Sequence, residues 1–153
     1  MFDYRVGYPW SPPGCEYRVT FPHEPQLSTV TVDDVSTSKA ETREDFGSPY
    51  ISAICLTITV PRTDVVDQLK RAGKQQMLDM GVRNLRWIHE VSPIGEKLTA
   101  LGEAQRNGIT VTIEKALWIG SSTLLEITLT EATEDYPSVE TIQVKDWVEH
   151  KSS

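Results

Sequence analysis

The 153-residue chain has little sulfur and little imidazole: two cysteines, Cys15 and Cys55, and three histidines, His23, His89 and His150. Two cysteines so far apart carry no metal-binding or C-x-x-C redox pattern. None of the histidines stands at metal or triad spacing from a Cys, Asp or Glu. Glycine-rich phosphate loops are missing, both of the Walker A and of the dinucleotide type. Ser121-Ser122 falls in a hairpin loop, without the strand-turn-helix setting of a nucleophile elbow. No apolar run reaches membrane-spanning length, and the N-terminus lacks the charged start and apolar core of a signal peptide. Basic charge is scarce, with 15 Lys and Arg against 22 Asp and Glu and a net charge of −7. That balance excludes the electrostatic footprint of a nucleic-acid binder and suits a basic protein or a metal ion. The expectation is therefore no catalytic residue, no cofactor and no resident metal.

What is present is an ordinary globular composition, 39% hydrophobic and 24% charged. A chain of this length buries roughly 70% of its unfolded surface. It divides into an extended N-terminal arm over residues 1–14 and a single domain over 15–150. The strongest local signal is Asn107-Gly108 inside the stretch Leu98 to Glu131, because a two-residue type I′ turn needs positive φ at both central residues. That turn sets Arg106 opposite Ile109, Ala104 opposite Val111, Gly102 opposite Ile113 and Leu98 opposite Leu117. Ile109, Val111, Ile113, Leu117 and Ile119 then share one apolar face, with Thr110, Thr112, Glu114 and Trp118 on the other. A three-residue loop at Gly120-Ser121-Ser122 would carry that face into the next strand, keeping Leu117 against Leu125 and Ile113 against Leu129. A two-residue loop would set apolar against polar.

In chain order, Phe2, Tyr4, Tyr8 and Trp10 lie among Pro9, Pro12 and Pro13, which keep the arm out of helices and central strands. Tyr17, Val19 and Phe21 alternate with polar residues in a half-buried strand that Pro22 ends. A short strand follows near Ser28 to Asp33. Asp33 to Pro49 reads as a polar surface loop, whose Asp33, Asp34, Glu41, Glu44 and Asp45 lack the spacing of a calcium loop. Tyr50 to Val60 is a strand with Ile54, Leu56, Ile58 and Val60 on one face. Thr63 or Asp64 caps a helix with Val65, Val66, Leu69, Ala72, Met77 and Met80 inward, and Gly81 closes it. Val82 to Val91 is a strand with Leu85, Trp87, His89 and Val91 in phase, His89 as a satisfied half-buried imidazole. Tyr136 to Trp147 predicts a short helix with Val139, Ile142 and Trp147 inward, then a strand-like tail. Strands joined by short connections and flanked by helices make an α+β fold with a mostly antiparallel sheet of six or seven strands.

Cys15 and Cys55 each fall in a predicted strand, as a disulfide or as two buried thiols. Cys15 is in phase with its strand's apolar face, whereas Cys55 is opposite to Ile54, Leu56 and Ile58, which argues against a bond.

The entry strand Tyr17-Arg18-Val19-Thr20-Phe21-Pro22, the helix Asp64 to Gly81 and the meander after it resemble the Mog1/PsbP-like superfamily over most of the chain. The family's Gly-rich hairpin would correspond to Pro93-Ile94-Gly95 through Gly102. The resemblance implies a sheet sandwich with flanking helices and a non-enzymatic role. Members include extrinsic photosystem subunits, a small-GTPase release factor, bacterial envelope proteins and secretion-system chaperones, so the fold alone does not choose among functions. With the envelope members and the even cysteine count together, the expectation is a Cys15–Cys55 disulfide in an oxidising compartment.

The expected function is protein binding or scaffolding in a bacterial envelope, with a partner protein carrying basic charge, no nucleic acid and no membrane span. An immunity protein or secretion-system chaperone is the alternative, and a small-molecule hydrolase, marked by His89 beside a carboxylate in a deep pocket, is the competitor. Tyr4, Tyr8, Trp10 and Trp118 are the candidate partner contacts, although Trp118 would instead be core if the arm or the terminal helix covers it. The location is periplasmic or secreted if a signal peptide has been removed, otherwise cytoplasmic.

Overall fold

The computed structural model describes residues 7–43 and 49–151. The Asn107-Gly108 turn, both residues at positive φ, joins β7 (Gly95–Arg106) to β8 (Ile109–Ile119). Their register is the expected one, with Arg106 opposite Ile109 and Leu98 opposite Leu117. β6 (Arg83–Ser92) pairs on the far side of β7, and β9 (Thr123–Ala132) on the far side of β8.

The β8–β9 connection departs from the expected one. Gly120 N–H donates to Thr123 O at 2.8 Å, so the loop is the two-residue Ser121-Ser122. Leu117 accordingly lies opposite Glu126 and Trp118 opposite Leu125. The expectation failed because it assumed one wet face, whereas every residue from Val111 to Gly120 is buried. Of the odd residues of β8, Leu117 and Ile119 join Leu98 and Leu124 in one cluster under the long helix, and Val111 and Ile113 join Met77 of that helix in another. Ala116 and Trp118 join Leu125, Ile127 and Leu129 on the opposite face. Two charged residues of this central strand are each answered locally. Lys115 lies 2.6 Å from Glu126 and donates to Gln76 of the helix, and Glu114 accepts from Tyr136 and from Lys145.

Beyond β9 the sheet continues through β5 (Tyr50–Thr57), β4 (Val35–Arg43) and β3 (Gln26–Val32), giving the antiparallel order β3-β4-β5-β9-β8-β7-β6. β4 replaces most of the expected loop. Val32 pairs with Val35 around Asp33 and Asp34, both at positive φ, a tight hairpin that Asp tolerates better than most residues. The strand is mostly Ser, Thr and charge, with Ala40 and Thr42 buried, so hydrophobic alternation could not reveal it. Glu41 accepts from Tyr50. Glu44 and Asp45 lie outside the described residues.

One face of the sheet is covered by α1 (Val65–Asp79). Val65, Gly73 and Met77 are its buried positions. A side chain at Gly73 would meet the Trp87 ring at 2.8 Å, so the helix sits directly on β6. Asp64 stands at the N-cap without a side-chain capping bond. At the other end Gly81, φ +78, closes a Schellman motif: Gly81 N–H donates to Leu78 O and Val82 N–H to Met77 O.

The opposite face is covered by a three-stranded sheet in the order β1-β2-β10, built from β1 (Tyr8–Trp10), β2 (Tyr17–Phe21) and β10 (Val148–His150), together with α2 (Val139–Asp146). Tyr17, Val19 and Phe21 point into the shared core, as their alternation requires. Pro9 is confined to an edge strand. α2 turns its expected face outward. Val139 and Ile142 are exposed, while Thr141 and Val144 are buried. The cause is the buried Glu131 of β9, which accepts from Ser138 N–H and from Thr141 Oγ1, both at 2.9 Å, and so draws the polar side of the helix inward.

Candidate functional site

At the end of the sandwich where β2 crosses the β8–β9 loop, a cleft of about 550 Å³ is lined by Glu16, Tyr17, Arg62, Glu96, Ser121 and His150, among others. Its centre is Glu16, the residue before β2. Oε2 accepts from Ser121 N–H at 2.9 Å and Ser121 Oγ at 2.8 Å. Oε1 accepts from Ser122 N–H at 2.8 Å, Thr123 N–H at 2.7 Å and Thr123 Oγ1 at 2.9 Å. Burial alone would raise the pKa of this carboxyl. The N–H groups of Ser122, Ser121 and Thr123 and the Ser121 hydroxyl outweigh it and hold the group far below the usual carboxylate range.

Across the cleft Glu96, near the start of β7, receives Arg62 on Oε1 and His89 Nε2 on Oε2, the latter at 2.6 Å. The hydrogen bond from Arg62 is the main cause of its lowered pKa, and His89 adds to it against the cost of burial. His89 is thus paired but not half-buried as expected. It lies exposed on the edge strand β6, because the sheet ends there and nothing among the described residues covers that side. Tyr17 Oη donates to Ile94 O at 3.2 Å, its ring edge-on to His150 at 5.0 Å. Burial, then the Glu16 charge, raises the Tyr17 pKa. Gly95, φ +145, makes this packing possible, since a side chain there would collide with the Tyr17 hydroxyl. Ser92 Oγ donates to Gly95 O at 3.2 Å.

Cys15 and Cys55 form a disulfide with α-carbons 6.1 Å apart. The phase that argued against a bond is what permits it. Cys55 shares a face with Ile51 and Ala53, which look onto the three-stranded sheet, and Cys15 sits not in a strand as expected but in the segment just before β2 of that sheet. A second cavity, of about 380 Å³, opens beside the bond and is lined by Pro12, Gly14, Ser36, Thr37, Thr57 and Thr59 among others.

The candidate partner contacts separate. Tyr4 lies outside the described residues. Tyr8 is exposed and Trp10 is half-buried against the core. Trp118 is corrected: it is 6% exposed, 5.7 Å from the Tyr17 ring and with Lys97 Nζ 5.3 Å over its face, so it cannot meet a partner. Burial, partly offset by the Glu114 charge, lowers the Lys97 pKa. Sequence reasoning missed Glu16, Arg62 and Glu96. Arg62 and Glu96 are 34 residues apart in sequence, and only the tertiary fold brings them together.

No family model and no curated protein matches the sequence. Among solved structures, the fold is similar to that of LpqN, described as involved in cell envelope biogenesis of Mycobacterium tuberculosis. The TM-score is 0.52 at 12% identity, covering 94% of this chain and 89% of that one. At that identity the likeness concerns the fold.

Proposed function

We propose that the chain is a non-enzymatic protein-binding or scaffolding domain of the bacterial envelope, with a Mog1/PsbP-like architecture. The observation that carries this reading is that the reactive groups of the cleft hold the fold together. Glu16 is clamped by Ser121, Ser122 and Thr123, the Ser92 hydroxyl donates to Gly95 O, and Glu96 is bound by Arg62 and His89. The Cys15–Cys55 bond supports an oxidising compartment, where disulfides persist. The likeness to a cell-envelope biogenesis protein supports the same location. The net charge of −7 favours a basic partner. An immunity or chaperone role is the alternative of the same class.

A hydrolase is the second reading, favoured by the 2.6 Å contact between His89 and Glu96. Capture on the immobilised protein from native extract separates the two. A stoichiometric partner that dissociates as salt rises supports binding. Ester or amide turnover lost in His89→Gln, with no retained macromolecule, supports the hydrolase and overturns the first reading.

A further inference from the structure

The two edges of the large sheet differ. β6 carries Arg83, Arg86, His89 and Glu90 and breaks register between Arg83 and Arg86; charge and irregularity both discourage an added strand. β3, Gln26 to Val32, has no charged residue and no proline, and its register with β4 is unbroken. Among the described residues β3 pairs with β4 alone, so its outer N–H and C=O groups form an open template about 24 Å long. Beside it runs a groove of about 360 Å³, lined by Trp10, Pro12 and Pro13 of the arm and by Leu27, Thr29 and Ser38. Leu27 is 68% exposed. Acids bracket the strand, with Glu24 before it and Asp33 and Asp34 in the turn after it, all exposed.

We propose that β3 takes an extended segment of a partner protein as an eighth strand. This rests on the protein-binding reading and names its surface. The segment has an uncharged, β-branched centre, one apolar side chain in the Trp10–Leu27 groove, and Lys or Arg at both ends. Backbone pairing supplies affinity, while the groove and the acidic ends supply selectivity. A second copy of this chain is disfavoured as the occupant. Two-fold antiparallel pairing centred on Thr29 sets Asp34 of one copy opposite Glu24 of the other at both ends, and like charges directly opposite are destabilising. A basic-ended strand turns the same acids into ion pairs.

The test uses a synthetic peptide of alternating threonine and valine with a lysine at each end, titrated to millimolar into the full chain while backbone amide resonances are followed. Shifts confined to β3 and the groove are expected, weakened roughly fivefold by Asp33→Asn with Asp34→Gly. That pair preserves the hairpin, because Asn-Gly is the favoured type I′ turn. Thr29→Pro, which interrupts an edge strand, is expected to abolish binding. The proposal is overturned if the peptide leaves β3 unperturbed, if a glutamate-ended peptide binds as well, or if sedimentation finds a dimer that Thr29→Pro dissolves. A partner from native extract that Thr29→Pro still retains would overturn the β3 assignment and leave the protein-binding reading standing. If the unmodified chain retains no partner from native extract and does not bind the peptide, both readings fall.

Discussion

The carboxylate of Glu16 fills the space that a side chain on Gly120 would need: a Cβ there would come within 2.5 Å of Glu16 Oε1. The β8–β9 loop and the first residue ahead of β2 are therefore one unit, and the loop cradles the acid by its own N–H groups. Gly120→Ala should expel Glu16 and destabilise the fold by about 2 kcal/mol, as Glu16→Ala should, because each removes the same charge-assisted hydrogen bonds. The two changes together should cost little more than either alone. Urea unfolding of the four proteins of this cycle measures the coupling, and additive losses would mean that the contact contributes little.

Acid should weaken the sandwich in a predictable window. The folded pKa values of Glu16 and Glu96 lie below their unfolded value of 4.5. Below 4.5 the unfolded chain binds protons that the folded chain refuses, so stability falls as pH falls. The contribution is complete above that value. Thermal melts at stepped pH should show Tm level near neutrality and declining below about pH 4.5, with a shallower decline in Glu16→Gln.

Reduction should loosen the join between the layers. Cys15 and Cys55 are separated by 40 residues, and closing such a loop is worth about 4 kcal/mol in the chain-entropy account. Cys15→Ser with Cys55→Ser should unfold at correspondingly lower urea. Thiol titration of the denatured, unreduced protein should find no free thiol, and both cysteines should react after reduction.

The β7–β8 register was legible in the sequence because Asn107-Gly108 admits one turn type. The β8–β9 register slipped by one residue because Leu125, Ile127 and Leu129 were assumed to share a face with Leu117. In the fold they share a face with Trp118. Both faces of β8 are covered, so alternation carried no information there. β4 was missed because a strand of Ser, Thr and charge has no hydrophobic period, although Asp33-Asp34 between two valines was a usable turn signal. Glu16 had no local signal, since its partners lie more than a hundred residues away.

Tight docking of α1 on β6 leads to a further prediction. Gly73→Ala, an ordinarily favourable helix substitution, should here destabilise, since the new methyl group would meet the Trp87 ring at 2.8 Å. A cost of about 1–3 kcal/mol fits overpacking, and Trp87→Leu should relieve most of it. Guanidinium titrations followed by far-ultraviolet dichroism check the pair; a stabilised Gly73→Ala would mean that the helix stands further off the sheet.

The central claim is that this protein binds another protein and does so along β3. Amide hydrogen exchange, with and without the partner captured from native extract, tests it most directly. Exchange across Gln26–Val32 should slow in the complex, with β6 and the Glu16 cleft unchanged. Unaltered exchange in β3, with protection at His89 and Glu96 instead, would contradict the account.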